Sequence, residues 1–475
     1  MSAVAALAVA TALAGCGTTT YFAGRSLPPS GLKNRVLIAI QNPSATNRGA
    51  LQMVDAYYDI RSSYDSKKAI FTISGYSSAL PISIQNMPEE QLGAVYASGD
   101  GTLSLVNYAA ETASGGQTGL NGLSSSIFIT RNQAYVIAAS QSAHVLTVVD
   151  KTNNNSYPLN LPGVYRVSVN PGGSVALAFV QNSNYVYYPR KLTAAETIAY
   201  SGGSSTWPVG AQDCEPLNSP GWCLFQLQDP SSTKTTPKPL SFDRPVKAVF
   251  SDDGGTAYVL SCGPECGGSV ASVTPLSIAP MIFLVGQQSG TFPTQSALNS
   301  SMIAIPGGAS NALLDTSTLY VVGQQAQTVQ GQTLFAGNLT VVNLSTNTAS
   351  KPMAISDGAP GALSRMILAD DNTLWIGMTK CNNGVRAATG LADGCLTMVN
   401  TSTNTVTLLE PYIGDLTGIA AVTSLHKIYV AQGGQVYIYS TVDGSSLDNQ
   451  YVTVTGTAYD VAYMDALTDG NNTVY

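Results

Sequence analysis

The chain has 475 residues, of which 44% are hydrophobic and only 10% are charged, with 45 glycines and 24 tyrosines. This composition is typical of a secreted, turn-rich β protein, because helical bundles need more Glu, Lys and Arg and disordered chains have fewer apolar residues. A net charge of −7 offers no basic surface to nucleic acid, so we exclude a nucleic-acid partner. With only two histidines, His144 and His426, the chain has little basis for zinc, haem or Ser-His chemistry.

The N-terminus contains an apolar run, AVAALAVATALA at positions 3–14, which is too short to span a bilayer. It leads into Leu13, Ala14, Gly15 and Cys16, a sequence that resembles the lipobox of bacterial lipoproteins. The resemblance implies a signal peptide at residues 1–15 and a lipid-modified Cys16, so that acyl chains hold the protein on a membrane of the bacterial cell envelope. It would face the periplasm or the surface, on the outer membrane if the organism has two. The alternative is an ordinary N-terminus with a chance cysteine. Residues 16–33, with their Ser, Pro and Gly, are predicted to be the lipidated cysteine and a flexible tether.

The rest of the chain, residues 34–475, is built from a repeat. An apolar pair, then Asp or Asn, then a Ser/Thr/Asn turn recurs in SLVNYAAET, TVVDKTNNN, TVVNLSTNT and TMVNTSTNT. Each copy follows a second apolar run, such as AYVIA or LYVVG, whose β-branched and aromatic residues predict a strand. The unit is four strands in about 40–45 residues, the size of a propeller blade. It resembles the YVTN-type β-propeller repeat, which implies a fold much more than a function.

We therefore predict an all-β fold, a single β-propeller of seven or eight four-stranded blades, with eight favoured by the count of first strands. These first strands are predicted at 81–85, 125–129, 165–169, 246–250, 311–315, 364–368, 417–421 and 459–463. The last one has almost no chain after it, whereas VLIAI at 36–40 has no first strand before it. Pairing of these two segments would close the ring and remove free sheet edges.

Insertions between second and third strands should all lie on one face. We place such insertions at 183–222, 261–268, 323–337 and 379–394, and expect this face to bind a partner, because loops vary without disturbing the core. A further insertion at 276–300 follows a third strand and should point the other way.

Apart from Cys16, six cysteines lie in close pairs: Cys214 with Cys223, Cys262 with Cys266, and Cys381 with Cys395. Six cysteines allow 15 connectivities, but pairing of neighbours would brace the inserted loops with disulfides, which an envelope compartment permits. The rival interpretation is a metal site at Cys262 and Cys266. It lacks nearby histidines, and zinc takes four ligands.

Aromatic residues are densest around the blade-four insertion, where Tyr187, Tyr188, Trp207 and Trp222 are candidates for ligand binding. The alternative is that these rings pack the insertion onto the blade. Asp150, Asn107, Asn343 and Asn400 recur at one blade position, which predicts a turn cap rather than a site.

These patterns predict a membrane-anchored, extracytoplasmic binding or scaffold module. We expect a monomer without catalytic residues, metal or cofactor, which recognises an envelope protein or glycan through its disulfide-braced loop face. The alternative is a propeller hydrolase or lactonase with a divalent ion at the central channel, which would require three or more carboxylates converging from the innermost strands. A third alternative is a sensor of a small ligand, which would need a deep closed pocket.

Overall fold

A computed structural model describes residues 24–42, 48–59, 70–113, 116–215, 221–281, 291–329, 332–355, 364–379, 394–409, 414–447, 452 and 454–468. The described strands form eight sheets. Two helices accompany them, α1 (Ala194–Tyr200) and α2 (Gln295–Ser301). Within these ranges, no helix has the length and apolar character needed to cross a bilayer.

Each sheet is one blade of a propeller, and we name the strands of a blade A to D from the axis outward. In order from A, blade 1 contains β33 (Thr457–Tyr463), β1 (Arg35–Gln41), β2 (Gly49–Asp55) and β3 (Ile70–Thr72), and blade 2 contains β4 (Pro81–Met87), β5 (Leu92–Ala97), β6 (Thr102–Asn107) and β7 (Thr118–Gly119). Blade 3 contains β8 (Ser126–Ile129), β9 (Tyr135–Ser140), β10 (Val145–Asp150) and β11 (Asn155–Asn160). Blade 4 contains β12 (Val164–Val169), β13 (Ala176–Val180), β14 (Val186–Lys191) and β16 (Trp222–Gln226), with β15 (Ala211–Glu215) outermost. Blade 5 contains β17 (Pro245–Phe250), β18 (Thr256–Ser261), β19 (Ser272–Ser277) and β20 (Ile303–Ala304). Blade 6 contains β21 (Asn311–Asp315), β22 (Thr318–Val329), β23 (Gln332–Asn343) and β24 (Thr348–Ala349), with β25 (Met353–Ala354) also paired to β23. Blade 7 contains β26 (Ser364–Ala369), β27 (Thr373–Met378), β28 (Cys395–Asn400) and β29 (Thr405–Leu409), and blade 8 contains β30 (Leu416–Val422), β31 (Lys427–Gln432) and β32 (Gln435–Ser440).

The predicted ring closure is confirmed. β1 and β33 pair antiparallel, with Val36 opposite Tyr463 and Ile38 opposite Val461. All eight predicted first strands are A strands, so the eight-blade count is confirmed as well. Blade 1 therefore takes its A strand from the end of the chain and its outer strands from the beginning.

Apolar side chains fill the spaces between blades. One cluster joins Leu313 and Tyr320 of blade 6 to Met366 and Ile376 of blade 7. In β1, six consecutive residues are buried, because both faces of the strand contact neighbouring blades. The core is thus a ring of layers between sheets rather than a central mass.

The recurrent Asp and Asn residues cap turns, as predicted. Each ends a C strand, and its side-chain Oδ1 accepts a backbone N–H: Ala110 to Asn107 at 2.8 Å, Thr152 to Asp150 at 3.0 Å, Ser345 to Asn343 at 2.9 Å and Ser402 to Asn400 at 3.0 Å. The Asn residues that follow, such as Asn347 and Asn404, adopt a φ of 53°. Asn tolerates this left-handed conformation better than most residues, which explains the repeated Thr-Asn turn.

Because adjacent strands are antiparallel, loops alternate between the two ends of the propeller. We call the end with the B–C loops and the connections between blades the upper face, which includes 262–271 and 241–244. The end with the A–B and C–D loops, which includes 88–91 and 251–255, is the lower face.

One predicted insertion lies on the face opposite to the one that the sequence predicted. The segment 183–222 was expected between second and third strands, but the third strand of blade 4 is β14, so the insertion follows it and belongs to the lower face. The segment VYYPRK does not have the appearance of a strand, because Pro189 removes a backbone donor and two charged residues follow it. The insertions at 261–268 and 323–337 do connect B to C strands, the latter as an extension of β22 and β23. The residues at 380–393 lie outside the described ranges.

The described half of the predicted tether is packed against the propeller, which corrects the expectation of flexibility for residues 24–33. Arg25 donates hydrogen bonds to the backbone oxygens of Pro88 at 2.7 Å and Ala466 at 3.2 Å. Ser30 donates to both oxygens of Glu111, from its N–H at 2.8 Å and from its hydroxyl at 2.5 Å. These partners lie in A–B and C–D loops, so the segment lies on the lower face.

Candidate functional site

The innermost strands share an irregularity that shapes the axis. In five blades the pairing register of strands A and B shifts, and the residue after the shift is Ser83, Arg166, Lys247, Gly418 or Asp460. A bulge of this kind bends the strand and redirects a side chain. In blades 4 and 5 the residue after the shift, Arg166 or Lys247, lies near the upper face and its side chain reaches a neighbouring A strand or the connection before it.

Three cationic side chains meet at this level. Arg166 Nη1 donates to the backbone oxygen of Ser310 at 3.2 Å, two blades further round the ring. Lys247 Nζ donates to Asn311 Oδ1 at 2.6 Å, and Arg365 Nε donates to the backbone oxygen of Thr417 at 2.8 Å. Each of the three side chains thus reaches from its own blade to another one: Arg166 from blade 4 to blade 6, Lys247 from blade 5 to blade 6, and Arg365 from blade 7 to blade 8. These contacts place the three groups around the axis. We call Arg166, Lys247 and Arg365 the axial cluster.

The three charges act on one another. Lys247 and Arg365 are only 8% and 5% exposed. Burial, reinforced by the positive charges of Arg166 and Arg365, holds the pKa of Lys247 well below its ordinary value. Burial also lowers the pKa of Arg166. A desolvated group of like charges favours the approach of an anion, whose charge would relieve this repulsion.

A disulfide-bonded turn brings one carboxylate to the same place. Cys262 and Cys266 are joined in a disulfide that encloses the 3₁₀ turn Gly263–Cys266 of the upper face. Gly263 has a φ of 59°, and a Cβ there would lie 2.2 Å from the backbone N of Ala271, so the turn requires glycine. The turn holds Glu265 beside the axial cluster, where its Oε2 accepts the N–H of Gln324 at 3.1 Å.

Glu265 titrates near neutrality. Burial raises the pKa of Glu265 to about 7, an effect opposed by the hydrogen bond from Gln324 and by the charge of Arg166. Acidification through this value removes the negative charge of Glu265 from beside Arg166. The net charge around the axis therefore becomes more positive as the pH falls.

This pKa gives a prediction for the variant Glu265→Gln, whose amide oxygen can still accept the N–H of Gln324. The pKa of Glu265 lies above its ordinary value of 4.5, so the folded state binds the proton more tightly and the free energy of unfolding falls as the pH rises from 4.5 to 7. A pKa shift from 4.5 to about 7 corresponds to about 3 kcal/mol in the free energy of unfolding. We expect about 1–2 kcal/mol, because water reaches this side chain. Urea unfolding at pH 5 and pH 8 should show this loss in the wild type and not in the variant; equal pH dependence of the two proteins would contradict the assignment.

The innermost strands do not supply the carboxylates that a metal-dependent hydrolase needs. On the described A strands, the carboxylates are Asp460 and Asp315. Asp460 already accepts the backbone N–H groups of Ile84 at 2.8 Å and Val461 at 2.9 Å. Asp315 is exposed at the lower end of β21. The described A-strand side chains that form the axial cluster are cations, which favour an anionic ligand over a divalent metal.

A second cluster lies on the lower face, where Asp370, Asp371 and His426 bring three ligand atoms within 4.8 Å of one another. His426 Nδ1 is 2.8 Å from an oxygen of each carboxylate, and Thr441 Oγ1 donates to Asp370 at 2.9 Å and Asp371 at 2.7 Å. The hydrogen bond to Asp371 and the charge of Asp370 raise the pKa of His426. These contacts describe an ion pair between blades 7 and 8, in which His426 is exposed. His144 is also exposed, in blade 3.

Two of the three predicted cysteine pairs form disulfides. Cys214 and Cys223 are opposite each other on β15 and β16, and Cys262 pairs with Cys266. Cys395 is buried at the start of β28, whereas Cys381 lies outside the described residues, so their pairing stays a prediction. Cys16, with the rest of residues 1–23, also lies outside them.

The aromatic candidates do not form a ligand-binding surface together. Trp222 is fully buried between blades 3 and 4, and Tyr188 is 5% exposed with its ring stacked on Phe225 at 5.4 Å. Trp207 is partly buried and donates from Nε1 to the backbone oxygen of Tyr200 at 3.2 Å. Tyr187 packs at the edge of the cluster around Trp222. Burial therefore corrects the ligand assignment for Trp222 and Tyr188, and the packing alternative describes them; a binding role for Tyr187 or Trp207 stays a prediction.

Sequence reasoning missed the axial cluster. The signal was available, since YRVSV, VKAVF and SRMIL each place a cation inside an otherwise apolar strand of a chain that is poor in charge. Buried charges need a partner or a function, so a cation at an A-strand position deserves to be singled out.

The fold defines the class of protein as an eight-bladed β-propeller. Among solved structures, it is similar to a dihydro-heme d1 dehydrogenase, NirN, in complex with DHE, with 11% identity, a TM-score of 0.47, and coverage of 92% of this chain and 79% of that chain. It is also similar to the hydrazine synthase of Kuenenia stuttgartiensis, with 12% identity, a TM-score of 0.40, and coverage of 83% and 95%. A Bacteroides fragilis protein with a provisional assignment as a 6-phosphogluconolactonase has 10% identity, a TM-score of 0.42, and coverage of 90% and 97%. No protein-family model and no curated protein matches the sequence. With TM-scores below 0.5, these similarities carry no argument, and the strand pairing itself establishes the fold.

Proposed function

We propose that the chain is a non-catalytic recognition module, a lipoprotein of the YVTN-propeller type. It is anchored to an envelope membrane, and its upper face binds an envelope protein or glycan that presents an anionic group. The observation that carries this proposal is the convergence of Arg166, Lys247 and Arg365 beside the disulfide-bonded turn of Glu265. Cationic groups in a narrow, poorly solvated site attract anions strongly and select them over neutral competitors.

The path of the N-terminal segment supports the anchoring part of the proposal. Arg25 and Ser30 hold this segment on the lower face. Seven residues, 17–23, separate it from Cys16, and they can reach at most about 25 Å. A lipid on Cys16 would therefore keep the lower face close to the membrane and direct the upper face away from it. In this orientation the axial cluster is accessible to a partner.

Site-specific photo-crosslinking in native envelopes tests both parts. Val270 is exposed on the upper face and Asp252 on the lower face of the same blade, so the two positions form a matched pair for a photoreactive residue. We expect covalent adducts from position 270 and not from position 252. Adding Arg166→Gln should reduce the adducts by about tenfold, the effect of losing one charge-assisted hydrogen bond. Adducts from position 252 alone, or from neither position, would contradict the proposal.

In the same cells, Cys16→Ala should move the protein from the membrane fraction to the soluble fraction, because the acyl chains would be lost. If the fractionation did not change, the proposed lipid anchor would be refuted. The crosslinking experiment alone would then test the proposed binding face.

A further inference from the structure

A cleft separate from the axis lies beside the upper ends of β18 and β19 in blade 5. It lies between the sheet of blade 5, the connection from blade 4 at Ser241–Asp243, and helix α2. Its volume is about 380 Å³, equal to roughly a dozen water molecules in the liquid. This is too large for a single ion and lies at the small end of the range for ligand pockets.

The floor of the cleft consists of three hydroxyl groups. Ser261 on β18 lies directly opposite Ser272 on β19, and Thr274 is two residues further along on the same side of the sheet. The three residues are 1%, 1% and 4% exposed, respectively. Among the described residues, Ser261 Oγ is a buried atom without a hydrogen-bond partner. Buried hydroxyls are nearly always hydrogen-bonded in folded proteins, so this group, which lines the cleft beside two further hydroxyl residues, points to a ligand.

The walls define the chemistry of that ligand. Phe242, Leu298 and Met302 provide an apolar surface, and Met302 is 41% exposed. Asp243 adds a carboxylate, whose Oδ2 accepts the backbone N–H groups of Ser269 at 2.7 Å and Val270 at 2.6 Å. The lining contains no Lys or Arg among the described residues. A lining that contains a carboxylate and no cationic side chain disfavours an anion, while hydroxyls both donate and accept.

We propose that this cleft binds a neutral monosaccharide unit, with its hydroxyl groups on Ser261, Ser272 and Thr274 and its C–H face against Phe242 and Met302. A sugar ring combines a non-polar face with hydroxyls that donate and accept, which matches an apolar wall above a hydroxyl floor. The site goes beyond the anion-binding role proposed for the axial cluster. It does not depend on Arg166, Lys247 or Arg365.

The experiment uses the full-length chain in detergent and saturation-transfer NMR with glucose, galactose, mannose and N-acetylglucosamine, and with glucuronate as the charged control. We expect at least one neutral sugar to bind, and each of Ser261→Ala and Thr274→Val to weaken its binding about three- to tenfold, the effect of one hydrogen bond. Because Ser261 Oγ has no hydrogen-bond partner among the described residues, Ser261→Ala should leave the melting temperature unchanged or higher. A purely structural role for this hydroxyl would lower it.

Thr147→Val is the matched control. Thr147 Oγ1 is also buried without a hydrogen-bond partner, but it lies on β10 of blade 3, outside the cleft. This variant should bind sugar like the wild type. The proposal is overturned if no neutral sugar binds, if glucuronate binds more tightly than the neutral sugars, or if Thr147→Val weakens binding as much as the cleft variants. These outcomes are independent of the crosslinking result, so the two proposals can fail separately.

Discussion

Replacing Arg35 with alanine should lower the free energy of unfolding by about 3–5 kcal/mol, because it leaves two buried carboxylates without their cation. Arg35 is 3% exposed at the start of β1. Its Nη2 lies 2.6 Å from Asp465 Oδ1 and its Nη1 lies 2.9 Å from Glu111 Oε1. Asp465 lies two residues after the end of β33, so this ion pair joins the N-terminal strand β1 to the C-terminal strand where the ring closes. Urea unfolding of the purified protein measures the effect.

Arg131 provides the control for Arg35. Its Nη1 is 3.1 Å from Glu89 Oε2, but the two side chains are 38% and 37% exposed. Exposed ion pairs contribute about 0–1 kcal/mol, so Arg131→Ala should cost no more than this. If the two alanine variants lost equal stability, the closing role of Arg35 would be refuted.

Replacing Trp222 with alanine should also cost about 3–5 kcal/mol, the usual result of removing a large buried aromatic ring. Trp222 is fully buried, with its ring centre 5.7 Å from that of Tyr135 and 6.1 Å from that of Tyr157. Trp222→Phe keeps an apolar ring and should cost less. Thermal and urea unfolding of the three proteins would establish the order.

This second prediction separates packing from ligand binding. A tryptophan that served only a surface ligand site could be removed with a change of about 0.5 kcal/mol or less. An alanine variant as stable as the wild type would return Trp222 to the candidate ligand site. The expected loss would confirm that the aromatic residues of blade 4 hold its outer strands against blade 3.

The loop and the disulfide beside the candidate site could be predicted from local sequence patterns. The loop at 261–268 was predicted as an insertion between second and third strands from its place in the repeat. The pairing of Cys262 with Cys266 followed from their separation of four residues. Both features depend on residues that are neighbours in the chain.

The axial cluster could not be found in this way. Arg166, Lys247 and Arg365 are separated by some 200 residues of chain, and they meet only because eight sheets close into a ring and because bulges in β12 and β17 redirect two of the side chains. A bulge depends on how one strand pairs with the next, which composition does not reveal. The same reason explains the error in blade 4, where pairing with β13 and β16 keeps the proline-containing β14 in the sheet.

Apolar runs and recurrent Asn turns were sufficient to predict the blades and the pairing of the chain ends and to favour eight blades over seven, since strand composition and turn geometry are local properties. The face on which each insertion lies, the burial of Trp222, the hydroxyl floor of the blade-5 cleft and the convergence of three cations at the axis were decided by tertiary structure. They depend on distances between residues far apart in the chain, and those distances exist only after the blades have packed.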